Sequence, residues 1–201
     1  MEERYARGCA GYLLEMGALK RSKRSGWWIV GVKEPESIAE HSFRTAVIGS
    51  VLAMLEGADP AKVALMCTFH DSQETRVGDI PWIGRRYLTT ASNQEVTADQ
   101  VADAHPVVAS GIQAIVDEYE TGDSLEVEVA HDADKLECML QGIEYLEQGY
   151  SNAREWVDST RAKLKSPSAI ALADAAQTMT STEWQRTYLR TTPSASGKAG
   201  E

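Results

Sequence analysis

Tyr5, Cys9, Tyr12, Leu13, Met16 and Leu19 recur at spacings of three and four, an apolar stripe that predicts a first helix over residues 3–19. The same period governs most of the remaining chain. Ser37 and Glu40 form an S-x-x-E capping box that opens a helix running to about Glu56. Asp59 as N-cap and Pro60 at the first helical position restart the chain. The run "VALMCTF" then carries a helix through His70 to about Arg76. Beyond a "GDIPWIG" turn, "NQEVTADQVADA" and "PVVASGIQAIVDEY" read as two helices parted at His105 and Pro106. An Asp123/Glu126 capping box starts a longer one, in which Val127, Ala130, Asp134, Cys138, Gln141 and Tyr145 keep the helical period. Short helices are expected at about 151–164, 167–178 and 181–190. Lys20 to Ser37 breaks the period, as a basic loop with Gly, Pro, Trp27 and Trp28. Alternating strand patterns are missing, so the expected fold is all-α, a single helical bundle over residues 1–192 with a small, polar, flexible tail at 193–201.

Composition narrows this picture. A chain of 201 residues suits one domain, since folding at this size buries roughly 70% of the unfolded surface. The net charge of −10 argues against binding a nucleic-acid polymer, which needs broad basic surface. It leaves room for a small phosphorylated ligand held by a few local cations. The longest apolar stretch, around "AVIGSVLAML", falls short of the ~20 residues of a membrane span. Cys9, Cys67 and Cys138 are odd in number, widely spaced and without a CxxC, which fits thiols in a reducing, cytoplasmic compartment.

The candidate chemistry sits at His41, at the adjacent His70 and Asp71, and at Asp134. Asp134 interrupts a stripe that should face the core. Burying a lone carboxylate there costs several kcal/mol unless a cation or strong donors meet it. Two imidazoles and two carboxylates converging from different helices suit a divalent transition ion, with two octahedral positions left for water or substrate oxygens. Glu74 follows His70 by four residues and Asp71 by three, on the same helical face. It is placed to orient or deprotonate a water there. Asp79 lies in a Gly-Asp-Ile-Pro turn, where aspartate also serves the local backbone.

The order H…HD…D, with "PESIAEHSFRTAV", "FHDSQETRVGDIP" and "DADKLECMLQGIEYL" around it, resembles the HD-domain metal phosphohydrolases. Within them it is most similar to the branch containing 5′-deoxynucleotidases, which remove phosphate from deoxyribonucleoside 5′-monophosphates. The likeness spans residues 10 to 165. It implies one divalent ion (Mn²⁺, Co²⁺ or similar) on His41, His70, Asp71 and Asp134, a nucleoside 5′-monophosphate substrate, a catalytic Glu74, and a role for Asp79 near the leaving 5′-oxygen or the sugar. In those nucleotidases an arginine directly followed by tryptophan serves the phosphate and sugar. Here Trp27 stands at the corresponding distance before His41, but Gly26 precedes it and the nearest upstream arginine is Arg24. Arg24 is therefore the expected phosphate cation, Trp27 a flat wall for sugar or base, and Trp28 its inward-packing neighbour. A homodimer is compatible with the resemblance, though the sequence selects no face for it. Two alternatives remain: a two-metal HD oxygenase, for which only His105 and His131 offer further imidazoles between Asp71 and Asp134, at unsuitable spacing, and a non-catalytic nucleotide-binding HD protein.

Overall fold

The computed structural model describes residues 1–191, so the tail expected at 193–201 lies outside the described residues. Every extended element is helical: α1 (Glu3–Met16), α2 (Gly26–Ile29), α3 (Ile38–Glu56), α4 (Pro60–Phe69), α5 (Glu74–Val77), α6 (Asn93–Gln100), α7 (Pro106–Thr121), α8 (Leu125–Glu147), α9 (Arg154–Arg161), α10 (Pro167–Ala176) and α11 (Glu183–Thr191). Among the described residues β-pairing is limited to one isolated antiparallel bridge, Lys23 with Ser37. That bridge matters, because Arg24 N–H donates to Glu36 O and Ile38 N–H to Ser22 O, both at 3.0 Å. The basic loop is thereby fastened to the start of α3.

The helix starts follow the side-chain chemistry. Ser37 Oγ accepts from Glu40 N–H while the Glu40 carboxylate accepts from Ser37 N–H at 2.6 Å, the reciprocal cap expected. Asp59 accepts from the amides of Ala61 and Lys62 ahead of Pro60. The start of α8 differs from expectation. Ser124, not Asp123, is the cap, accepting from Val127 N–H. Glu126 instead reaches across to accept from Asp59 N–H at 3.1 Å, tying the starts of α8 and α4 together. The helix expected through Arg76 also stops early, at Phe69. There the Ser72 hydroxyl and amide both donate to Phe69 O, and the chain tightens into turns before the short α5.

The core lies between α3, α4, α8 and α10. Leu52, Val63, Met66, Val129, Ala133 and Met139 are wholly buried in it. Gly49 lets α3 and α4 approach closely: a Cβ there would meet Cys67 Sγ at 2.7 Å and Val63 Cγ1 at 2.9 Å. A second cluster forms where Trp27, beneath the basic loop, packs on Tyr145 and Trp156 with ring centroids 5.0 and 4.9 Å away. The candidate site lies beside these two clusters. Among the described residues no helix is long and apolar enough to cross a membrane.

Candidate functional site

Three helices deliver four polar groups to one point. His41, in the first turns of α3, is wholly buried, and its Nε2 lies 3.2 Å from His70 Nε2. His70 is the residue after α4 and Asp71 follows it. Adjacent residues on a continuous helix do not face each other. These two meet, His70 Nε2 to Asp71 Oδ2 at 3.2 Å, where the helix ends at Phe69. Asp134 of α8 closes the group from the other side, with Oδ1 3.2 Å from His41 Nε2 and 3.8 Å from His70 Nε2. The four residues singled out in the sequence are thus brought together. One expectation changes: Asp134 is not a charge sealed in the core. A third of its side chain, 33%, is open, facing a cavity.

The donor set fits a divalent ion. Both imidazoles have Nδ1 engaged behind them, His41 with Glu137 at 2.5 Å and His70 with Cys67 O at 2.8 Å. That leaves each Nε2 to point its lone pair at the cluster. Ligands at right angles on bonds of about 2.1 Å stand about 3 Å apart, close to the 3.2 Å separations here. His41, His70 and Asp71 can offer three ligand atoms within 4.8 Å of one another. Electrostatics agree. Burial and the nearby Arg24 depress His41, but Asp134 and Glu137 outweigh them and raise it to about 9. His70 is likewise held well above the usual imidazole range, because the charge of Asp71 and bonds to Asp134 and Asp71 overcome its burial. Asp71 and Asp134 are held low in return, despite burial, by the histidines and, for Asp71, also by Arg24. Two bound protons balance two carboxylates; one divalent ion on neutral imidazoles gives the same balance.

The cavity beside this cluster has a volume of about 1120 Å³ and is lined in part by Arg24, Asp71, Glu74, Asp79 and Asp134. Arg24 donates from Nη1 to Asp71 Oδ2 at 2.8 Å, so its guanidinium lies against the cluster. Position 26 has no room for an arginine: a Cβ there would meet Trp156 Cη2 at 2.4 Å. Arg24, two residues before that position, is an arginine of this loop that reaches the cluster. Asp79 Oδ2 accepts from Ser25 N–H at 2.6 Å, and its carbonyl accepts the Ser25 hydroxyl, so the Gly-Asp-Ile-Pro turn grips the loop that bears Arg24. Glu74 Oε2 is buried without a hydrogen-bond partner. Burial first, then Asp71 and Asp79, raises its carboxyl to about 9.

The tryptophans follow expectation only in part: Trp27 lines the cavity and Trp28 does not turn inward. Trp27 is 1% exposed, with its Nε1–H donating to Glu36, and gives the cavity only an edge. Trp28, expected inward, is 53% exposed. His105 caps α7, and His131 packs on Tyr119 with its Nε2 against Tyr119 O, so both are engaged elsewhere.

Sequence reasoning missed Glu137 and Arg44. Glu137 is wholly buried, one oxygen on His41 Nδ1 and the other taking Arg44 Nε–H at 2.8 Å. Glu36, His41 and Glu137 could also group around an ion, but both Glu137 oxygens are already used in these contacts. The available signal was spacing: Glu137 stands three residues after Asp134, and Arg44 three after His41.

The HD domain family matches residues 16–174. The 5′-deoxynucleotidase HDDC2 of Bos taurus is 30% identical over 176 residues, covering 86% of this chain and 85% of that one. Its Homo sapiens counterpart is 29% identical over 171 residues, covering 83% of each. A solved structure of a protein from Pyrococcus horikoshii OT3 superimposes with a TM-score of 0.68 at 28% identity, covering 82% of this chain and 96% of that one.

Proposed function

The chain belongs to the HD domain family, and from that premise we propose that it is a metal-dependent phosphomonoesterase that hydrolyses nucleoside 5′-monophosphates, deoxy forms favoured, to nucleoside and phosphate. The relatives named 5′-deoxynucleotidase support the substrate class. The observation that carries the reading is the convergence of His41, His70, Asp71 and Asp134 at the wall of an open cavity beside a guanidinium and a protonatable carboxyl.

His41, His70, Asp71 and Asp134 would hold one divalent ion of the Mn²⁺ or Co²⁺ kind, which supplies Lewis-acid polarisation of the phosphoryl group and a lowered pKa for the attacking water. Arg24 spends Nη1 on Asp71. Its remaining N–H groups are available to bind phosphate oxygens and steady the charge that grows in the transition state. Glu74, unpartnered at Oε2, holds the proton that passes between water and leaving group. Asp79 keeps one oxygen on Ser25 and offers the other to the sugar or the 5′-oxygen. The edge of Trp27 and the exposed Trp82, which also lines the cavity, provide apolar surface for the nucleoside. The three free cysteines are in keeping with a cytoplasmic setting.

The experiment is a phosphate-release screen of deoxy- and ribonucleoside 5′-monophosphates with Mn²⁺, Co²⁺, Mg²⁺ or chelator. Turnover of the deoxy substrates with Mn²⁺ or Co²⁺, abolished by chelator, is expected. Failure to hydrolyse any monophosphate with any of these ions would overturn the reading in favour of a nucleotide-binding protein.

A further inference from the structure

The two candidate imidazole ligands are backed unequally. Behind His70 Nδ1 stands a neutral acceptor, the Cys67 carbonyl. Behind His41 Nδ1 stands a carboxylate in the centre of the protein, Glu137, with none of its surface exposed. Burying a carboxylate so completely is expensive, and an apolar side chain on this face of α8 would pack without that cost. The fold instead surrounds Glu137 with partners. Its second oxygen accepts from Arg44 Nε–H at 2.8 Å, and Arg44 is itself clamped, Nη2 to Gln141 at 2.8 Å and Nη1 to Glu144 at 2.6 Å. Gln141 and Glu144 lie one and two turns beyond Glu137 on the same helix. Arg44 is 28% exposed and lines a separate cavity of about 210 Å³. A chain of charged hydrogen bonds therefore runs from near the surface through Glu137 to the back of His41.

We infer that Glu137 and Arg44 are positioning residues for the metal ligand His41, acting as a two-link relay. Glu137 holds the proton on Nδ1 and so keeps Nε2 free for the ion. Its charge makes the imidazole a stronger donor. Arg44 fixes which way the carboxylate faces. The inference rests on the metal reading above, and its test separates the two.

A glutamine at 137 keeps the shape but cannot serve both neighbours. Its amide oxygen satisfies either His41 Nδ1–H or Arg44 Nε–H, and its NH₂ then meets the other donor head-on. Co²⁺ binding is measured by chelator competition and by the visible absorption spectrum, on the purified chain and on Glu137→Gln, Arg44→Met and the double variant. The expected result is a loss of Co²⁺ affinity of about 10–100-fold in Glu137→Gln, with a changed ligand-field spectrum. Arg44→Met should lose less. The double variant should recover part of the Glu137→Gln loss, because the amide oxygen can then turn to His41 unopposed. Metal-free melting temperatures serve as the control, since a merely structural pair would lower them and leave Co²⁺ affinity and spectrum as in the parent. That second pattern overturns the relay while leaving the metal site standing. A parent chain that binds no Co²⁺ overturns both. Simple multiplication of the two single-variant losses in the double variant also contradicts the relay, because independent residues do not rescue each other.

Discussion

Arg24→Ala is the substitution with the most to say about the absence of an arginine–tryptophan pair in this chain. The guanidinium sits between the cluster and the cavity, its Nη1 2.8 Å from Asp71 Oδ2, and the two side chains are only 17% and 18% exposed. A charged hydrogen bond in such partly dry surroundings contributes about 1.5–3 kcal/mol. At about 1.36 kcal/mol per factor of ten, losing one contact to the phosphate lowers kcat/KM by about 10- to 160-fold. Arg24→Lys should recover only part of this, because an ammonium cannot hold Asp71 and a phosphate oxygen with the planar fork of a guanidinium. Arg21→Ala is the control: Arg21 is exposed and its guanidinium donates to Gly17 O, at 3.3 Å. The assay is steady-state phosphate release from a deoxynucleoside 5′-monophosphate at saturating metal, so that a loosened Asp71 is not read as lost ion. Equal, small effects of Arg24→Ala and Arg21→Ala would show that Arg24 does not bind the phosphate. The phosphate cation would then be sought in Arg85 or Lys163, which line the cavity, and not in Arg76, which is tied to Glu15.

Glu74→Gln should retain the bound ion and lower kcat by around 10²-fold, the scale for removing a positioned acid or base; metal analysis alongside kinetics checks it, and lost metal would make Glu74 a ligand instead. The metal-free protein should lose stability as pH rises from about 5 to about 9. Burial lifts the carboxyls of Glu36 to about 7 and Glu74 to about 9, and Asp134 with Glu137 lifts His41 to about 9 against its own burial. Each group binds its proton more tightly folded than unfolded, so the stability it contributes is complete below its ordinary pKa and lost as pH climbs through the raised one. Melting temperature against pH measures this, and Glu74→Gln should flatten the slope; an unchanged slope would contradict it. Gly26→Arg, which would restore the arginine–tryptophan pair of the nucleotidases, should destabilise by about 1–3 kcal/mol without raising activity, because its Cβ starts 2.4 Å from Trp156. Denaturant unfolding checks this, and a stable, faster variant would show that Trp156 yields to a side chain at position 26.

What could be read from the sequence was whatever lay within a few residues of its cause. The Ser37–Glu40 box and the Asp59–Pro60 start are local devices, and both stand as expected. The cap of α8 is Ser124, and Glu126 instead accepts from Asp59 N–H, a contact between residues 67 apart that no local motif announces. The cluster of His41, His70, Asp71 and Asp134 was legible because these residues carry a specific order along the chain. Its support was not: Glu137 looks like one more acid on an acidic helix until α3 places His41 and Arg44 against it. The burial of Trp27 and the exposure of Trp28 were hidden for a related reason. Which of two neighbours turns inward was set by Tyr145 and Trp156, more than a hundred residues away.

The proposed mechanism needs one catalytic ion on His41, His70, Asp71 and Asp134. Its most direct test is to measure bound metal and deoxynucleoside 5′-monophosphate hydrolysis together, in the parent and in a His70→Ala/Asp71→Ala double variant loaded with Mn²⁺ or Co²⁺. The parent should bind one ion per chain and release phosphate, and the double variant should lose both while keeping its helical spectrum. A folded double variant that still carries stoichiometric metal, or still releases phosphate at the parental rate, would contradict the assignment.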